Sequence, residues 1–254
     1  MQSVMNALRI LEHVSEEGAV GVTDVSRALN LPKSTVQRTL TALGRAGWIR
    51  QDPQARWELT LRCAAVGRRV GHEPAIRAAA HPVAVELQAI THETVRYFLI
   101  DGETFVLLET IEGDHTVRPV EADVAGRIPM NAAAVGKAVL AAWSDDAVDR
   151  YLEHPLERLT PATVVDPDVL RAHIRDTRRR GYGEVREETY LDVGGVAAVA
   201  QLPDGMMVGI GISFPLHRTS SDAVARYGEL VREGADRLST AIVSADRVAV
   251  RRGA

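Results

Sequence analysis

The sequence predicts an α+β protein: a small helical head closed by a short hairpin, then a larger region of mixed strands and helices built on an antiparallel sheet. Three observations predict it. Apolar residues recur at helical spacing through residues 4–43. Beyond them, strand-like runs alternate with helical segments and meet at turns such as Asp101-Gly102 and Pro203-Asp204-Gly205. The charge also changes sign: residues 1–71 carry 10 Lys+Arg against 6 Asp+Glu, and residues 72–254 carry 20 against 28. A basic head on an acidic body fits a polyanion-binding module joined to something else, although a solvated charged face would look the same.

Composition sets the outer limits. A chain of 254 residues accommodates one large domain or two modest ones, and 46% hydrophobic residues supply a sizeable core. The single cysteine, Cys63, excludes an internal disulfide and any multi-cysteine metal site. The start, Met1-Gln2-Ser3-Val4, shows no basic segment leading into an apolar one, so no signal peptide is expected. The most apolar stretch, Ala132–Trp143, has 12 residues and includes Lys137, too short to span a bilayer. The expected location is the cytoplasm.

In the head, Val4, Leu8, Leu11 and Val14 define a first helix with Ser3 as its N-cap. Gly18 and Gly21 mark a loop, and Thr23 is placed to cap a second helix over Asp24–Leu29. Asn30 tolerates the left-handed backbone that a sharp turn needs. Pro32 opens a third helix, where its missing N–H costs nothing. There Val36, Leu40 and Leu43 face the core, which leaves Ser34, Thr35, Gln37, Arg38 and Thr41 on the opposite face. Short hydroxyl, amide and guanidinium side chains near a helix N-terminus suit phosphate anchoring and base-edge hydrogen bonds in a major groove. Ser26 is small where the two helices approach. Trp48–Gln51 and Trp57–Thr60 read as strands joined by the turn Asp52–Arg56, a hairpin wing. Lys33, Arg45, Arg50 and Arg56 are placed to reach phosphates, and Arg50 and Arg56 could also enter a minor groove.

In the body, Arg62–Gly71 reads as a linker helix ended or bent by Pro74. Ala75–His92 forms a helix with Val83, Leu87 and Ile90 on one stripe, followed by strands Thr94–Ile100, Thr104–Ile111 and Arg118–Ala122. Asn131 is expected to cap a small-residue helix, Ala132–Trp143. Two further helices cover Asp145–Glu153 and Asp166–Arg180, the second ended by Gly181. Tyr182–Glu187, Gly194–Leu202 and Met206–Phe214 complete the sheet, and Ser220, Ser221 or Asp222 caps a terminal helix to about Ala245.

Ser3-Val4…Ala7-Leu8-Arg9-Ile10-Leu11-Glu12 with Leu31-Pro32-Lys33-Ser34-Thr35-Val36-Gln37-Arg38-Thr39-Leu40 resembles the DNA-binding head of IclR-type bacterial transcriptional regulators. Ile128-Pro129-Met130-Asn131-Ala132-Ala133-Ala134-Val135-Gly136-Lys137-Ala138 and Gly181-Tyr182…Glu187-Glu188 extend the resemblance through the body. It implies a winged helix-turn-helix over residues 1–61, a linker helix over 62–74, and an effector-binding domain of GAF/profilin-like form over 75–254. It further implies duplex operator DNA as partner, and a dimer or dimer of dimers. The effector would be an organic acid or aromatic metabolite held by Met130, Asn131, Ala134, Val135, Val185, Leu191, Asp192, Gly195, Gly211 and Ser213. The family's frequent His is Asn131 here, its pocket Cys is Gly195, its Pro is Val199, and Asp192 stands at the turn after the Glu pair. With Val185 and Gly211, these leave few polar side chains and favour a larger or more apolar ligand.

Other chemistry is not supported. Gly136-Lys137 lacks a phosphate-loop pattern, so Lys137 is expected on the surface or in helix packing. Glu187 and Glu188 are adjacent and would point to opposite faces of a strand, with one free to serve a pocket or interface. His81, His92 and His115 lack metal spacing. No nucleophile elbow occurs, and Cys63 is expected to be buried. No cofactor, metal or catalytic residue is expected. The competing readings are an enzyme with a structural helical head, and a small-molecule sensor or scaffold without DNA binding.

Overall fold

A computed structural model describes residues 2–67, 73–114, 128–202 and 205–252. The chain divides into two compact units, with the break at Glu73–Pro74.

The first unit holds α1 (Gln2–Glu17), α2 (Val22–Ala28), α3 (Lys33–Arg45), the strands β1 (Ile49–Gln51) and β2 (Trp57–Leu59), and α4 (Leu61–Gly67). Ile10, Val14, Val25, Val36, Leu40, Ile49 and Trp57 form its core. The stripe that α1 buries is Asn6, Ile10 and Val14, whereas Val4 and Leu8 of the expected stripe are 63% and 50% exposed. Both stripes have helical spacing, and spacing alone does not say which one the other helices cover. Ser3 lies inside α1 and Thr23 inside α2, whose N-cap is Gly21, so neither serves as the expected cap. Asn30 adopts the expected left-handed backbone, φ 51°. Ser26 Oγ donates to the Leu31 carbonyl at 2.7 Å across the same turn. Pro32 is the N-cap of α3, one position before the helix it was expected to open. β1 and β2 pair antiparallel, and Val20 adds a bridge to Trp57. Cys63 is half-buried rather than buried, its Sγ 3.5 Å from the Trp48 carbonyl oxygen.

The second unit holds α5 (Glu73–Thr91), β3 (Thr94–Asp101), β4 (Thr104–Ile111), a 3-10 turn (Met130–Ala132), α6 (Ala134–Ala142), α7 (Asp145–Leu152), α8 (Pro167–Arg180), β5 (Gly183–Arg186), β6 (Val193–Gln201), β7 (Met207–Pro215), a 3-10 turn (Leu216–Arg218) and α9 (Ser221–Arg252). Its five strands run in the order β4-β3-β7-β6-β5, every pair antiparallel. The strand expected at 118–122, the middle of the expected linker (68–72) and two turn residues (203–204) lie outside the described residues. Pro74 stands in the first turn of α5 and does not end a helix there; in that turn its missing N–H has no intrahelical partner to lose. Of the expected α5 stripe, Val83 and Leu87 are buried, but Ile90 is 40% exposed. Asp166 caps α8, accepting from the Asp168 and Val169 amides, and Gly181 ends it at φ 81°. Ser220 Oγ accepts from the Ala223 amide at the start of α9.

Strand alternation assigns two faces. Val95, Tyr97, Val196, Ala198, Val208, Ile210, Ile212 and Phe214 pack against α5 and α9. Ile100, Val185, Ala197 and Met207 pack on the other side with Val135, Val139 and Leu140 of α6, Val148 of α7, and Leu170 and Ile174 of α8. Small residues let α6 lie close. A Cβ on Gly136 would collide with the Met130 backbone, one on Gly183 with the Ala134 carbonyl, and one on Gly209 would stand 2.6 Å from Val135 Cγ2. Alanine normally favours a helix over glycine by about 1 kcal/mol. Overpacking against backbone costs about 1–3 kcal/mol or more. Gly136→Ala is therefore expected to be net destabilising, with a lower urea midpoint than the parent.

Candidate DNA-binding surface and ligand site

In the first unit, burial of Val36 and Leu40 turns the other side of α3 outward. Lys33, Ser34, Gln37, Arg38 and Arg45 are exposed there, and Thr35 and Thr41 are half-buried. Two of these groups are partly spent within the helix: Thr41 Oγ1 donates to the Gln37 carbonyl at 2.8 Å, and Gln37 Nε2 donates to Thr41 Oγ1 at 3.3 Å. Lys33, Arg38 and Arg45 have no acidic partner among the described residues. The wing differs. Arg50 Nε pairs with Glu58 at 2.7 Å, and Arg56 Nε with Asp52 at 3.0 Å. Asp52 also accepts from the Gln54 and Arg56 amides, which fixes the tip of the hairpin. Sequence spacing placed the wing arginines correctly but could not show that each already holds a carboxylate.

In the second unit, five of the expected ligand residues come together on the α6 face of the sheet. A Cβ on Gly195 would stand 3.3 Å from Val185 Cγ2 and 3.8 Å from Ala134 Cβ. Gly195 pairs in register with Ser213, and Gly211 with Ala197. The remaining expected residues are placed differently. Met130 is buried in the α6-side core, and Val135 lies over Gly209. Leu191 is 61% exposed, and Asp192 is exposed at a turn with φ 61°. Asn131 does not cap α6. The N-cap is Ala133, without a side-chain bond, and the Asn131 amide donates to the Glu157 and Val164 carbonyls at 2.9 Å each. The 3-10 turn intervenes between Asn131 and the helix, and the fully buried amide is needed to satisfy those two carbonyls.

Lys137 is the largest departure from expectation. It is fully buried, with Nζ 2.6 and 2.7 Å from the two Glu188 carboxylate oxygens and 3.1 Å from His173 Nδ1. Glu188 follows β5 in a bend, so it and Glu187 do not occupy one strand as expected. Glu187 takes a left-handed backbone, φ 57°, which turns Glu188 inward beneath α6. Thr160 Oγ1 donates to the Glu187 carbonyl, Thr163 Oγ1 to the Glu188 carbonyl and Thr189 Oγ1 to the Ala132 carbonyl. The segment 187–192 is thereby tied to α6 and to the loop before α8. Burial lowers the Lys137 ammonium below its ordinary range, opposed by the Glu188 carboxylate. Burial, helped by the Lys137 charge, also holds His173 below its ordinary value.

Sequence reasoning missed Arg96. It projects from β3 on the α6 face, opposite Gly211 of β7, and its Nη1 donates to Ser213 Oγ at 3.1 Å. Its signal was available in the alternation Val95–Arg96–Tyr97, which puts a cation on the face opposite the buried Val95 and Tyr97. His81 and His92 pair with Glu109 and Asp114. Among the described residues, no cluster of three or more His, Cys, Asp or Glu side chains could hold a metal ion. No helix of the described residues is long and apolar enough to cross a membrane.

Two expectations follow from the buried pair. Lys137→Met or Glu188→Gln alone leaves a buried charge uncompensated and should cost about 3–5 kcal/mol in urea unfolding. The double variant Lys137→Met/Glu188→Leu should cost clearly less than the sum, a coupling that a double-mutant cycle reads directly. His173 titrates in the opposite sense to a salt-bridged histidine. Its folded value is depressed, so the unfolded chain binds more protons, and stability falls as pH drops below about 6.5. A His173→Gln variant should show a shallower fall over the same pH range, measured as thermal midpoint.

Residues 3–53 match the family model of the IclR helix-turn-helix domain, and residues 69–240 match that of the bacterial transcriptional regulator IclR C-terminal domain. The chain is 30% identical over 247 residues to the transcriptional repressor IclR of Escherichia coli strain K12, covering 95% of this chain and 90% of that protein. It is 31% identical over 245 residues to the transcriptional repressor AllR of Klebsiella pneumoniae, with the same coverage. A putative IclR transcriptional regulator from Silicibacter sp. TM1040 superposes with a TM-score of 0.77 at 26% identity over 94% of this chain and 96% of that one. An IclR homolog from Microbacterium hydrocarbonoxydans, solved with 4-hydroxybenzoate, superposes with a TM-score of 0.79 at 23% identity over 95% and 99%, and that likeness is one of fold. The chain therefore belongs to the IclR family of bacterial transcriptional regulators, a DNA-binding regulator and not an enzyme.

Proposed function

We propose that residues 1–61 bind duplex operator DNA through the outer face of α3, that residues 62–74 link, and that residues 75–254 bind a small-molecule effector that sets DNA affinity. The observation that carries this reading is the exposed face of α3: Lys33, Arg38 and Arg45 have no acidic partner among the described residues and stand opposite a buried Val36–Leu40 stripe. Arg38 and Gln37, mid-helix, take direct readout at base edges. Lys33, Arg45 and the wing arginines Arg50 and Arg56 take the phosphate backbone, with Ser34, Thr35 and Thr41 supplying hydroxyl contacts. One recognition helix reads few base pairs, so the protein acts in the cytoplasm as a homodimer, or a dimer of dimers, on a pseudo-palindrome.

In the second unit, the ligand lies over Gly195, Gly211 and Ser213, beneath Ala134 and beside Val185. The relative solved with 4-hydroxybenzoate supports an acid of that size. The effector changes DNA affinity only through its differential affinity for the DNA-competent state, and about 1–3 kcal/mol of coupling makes a useful switch.

The test is fluorescence anisotropy with duplex operator DNA over a salt series. Binding should weaken steeply with salt, and Lys33→Ala should lower the slope by about one unit without changing sequence preference. Arg38→Ala should cost about 1–3 kcal/mol at its own base pair and relax specificity there. A uniform loss across operator variants would reassign Arg38 to the backbone. Gly195→Leu or Ala134→Phe should abolish effector response while leaving salt-dependent DNA binding intact.

A further inference from the structure

The α6 face of the sheet carries a charge, Arg96, that no carboxylate among the described residues neutralises. Arg96 is half-buried, and its register neighbours are Gly211 on β7 and Thr110 on β4. Its one hydrogen bond within the protein goes from Nη1 to Ser213 Oγ at 3.1 Å, which leaves its other N–H donors for something else. Across β7 and β6 its neighbours are small: Gly211 and Gly195 carry no side chain and Ala197 only a methyl group, while Phe98 follows it along β3 on the same face. Burial pushes the Tyr190 phenol up, opposed by the Arg96 charge. The Tyr190 hydroxyl makes no hydrogen bond to a described residue. A guanidinium held by a hydroxyl and flanked across β7 by glycine has the chemistry that recognises a carboxylate in bidentate fashion.

We propose that Arg96 is the charge-selecting residue of the effector site: the effector is a carboxylate, its anionic group bound by Arg96 and Ser213 and its carbon skeleton extended over Gly211 and Gly195 toward Ala134. This rests on the reading of that face as the ligand site. Gly195 and Ser213 occupy neighbouring strands, about 5 Å apart. Gly195 in turn lies under Ala134, whose Cβ is 3.8 Å from where a Gly195 Cβ would stand. The assignment also alters the expectation from the Gly195 and Gly211 positions that the site is short of polar groups. The polar group comes from β3, a strand the sequence motifs did not include.

The test is calorimetric titration of the full chain with matched acids and amides: benzoate against benzamide, 4-hydroxybenzoate against 4-hydroxybenzamide, and succinate against succinamide. Each pair keeps its shape and loses its charge. At least one acid should bind the parent protein about 10- to 100-fold tighter than its amide. Arg96→Gln should bring that ratio close to one, and Arg96→Lys should retain part of it. Ser213→Ala should lower acid affinity by less than Arg96→Gln does. The altered ratio separates recognition from a structural role, because loss of folded protein lowers acid and amide binding together. An unchanged ratio in Arg96→Gln overturns the assignment of Arg96 and leaves the site standing if Gly195→Leu abolishes acid binding. Acid binding indifferent to both Arg96→Gln and Gly195→Leu overturns the site as well. A parent protein that binds none of the acids, or binds amides equally, overturns the proposal.

Discussion

The Lys137–Glu188 ion pair holds together the parts of the body that surround the candidate ligand site. An ammonium with no solvent exposure is tolerated in a protein interior only when its partner is close and the remaining donors are occupied. Here the carboxylate meets that need from a bend outside the sheet, with the His173 ring on the third side. The pair contributes little net stability over an apolar substitute of the same volume, because desolvation offsets most of the attraction. Its contribution is to register. Glu188 can reach Lys137 only if the segment after β5 turns inward, and that turn sets where Tyr190, Leu191 and Asp192 stand relative to α6. Three threonine hydroxyls then fasten the same segment: Thr160 and Thr163 donate to its Glu187 and Glu188 carbonyls, and its own Thr189 donates to the Ala132 carbonyl.

Close approach of helix to sheet complements this electrostatic tie. Gly136, Gly183 and Gly209 each occupy a place where a methyl group would meet backbone or a packed side chain. By contrast, a Cβ on Gly195 or Gly211 would meet its nearest neighbours at 3.1–3.3 Å, a tight fit but not a collision. The glycines of this domain thus separate into those where a methyl group would collide and those where it would fit only tightly. Small residues in a sequence do not distinguish the two cases, and the distances do.

Much of the architecture was legible from residues. Periodicity and turn chemistry located every strand of the described sheet, the Asp166 and Gly181 boundaries of α8, and the left-handed Asn30. Short-range rules reach that far because caps and turns are local. They failed where a side chain's partner is remote in sequence. Asn131 has the chemistry of a cap, yet its amide serves carbonyls 26 and 33 residues away. Lys137 has the look of a surface lysine, yet its partner is 51 residues on. Val4 and Leu8 satisfy helical spacing as well as Ile10 and Val14, and only the packing of α3 and β2 decides between them. Arg96 escaped notice because a single cation in a strand carries no motif; its meaning comes from two neighbouring strands that supply glycine and serine. The head's reading surface was the easier part, since the buried and exposed faces of α3 follow from one helix alone.

The wing's two ion pairs bear on how a regulator searches a genome. Arg50 and Arg56 each hold a carboxylate of their own hairpin, so at long range the wing is close to electrically neutral. It adds little to loose attachment along arbitrary duplex, where affinity comes from displaced counterions. In the proposed complex each arginine would exchange Glu58 or Asp52 for a phosphate, an exchange favourable only when the DNA backbone lies within hydrogen-bonding distance. With the DNA contacts proposed above, the acids would act as a proximity gate: the cations of α3 would govern sliding, and the wing would engage only after the head has seated. Residence at a correct site can then lengthen without slowing the scan of incorrect ones.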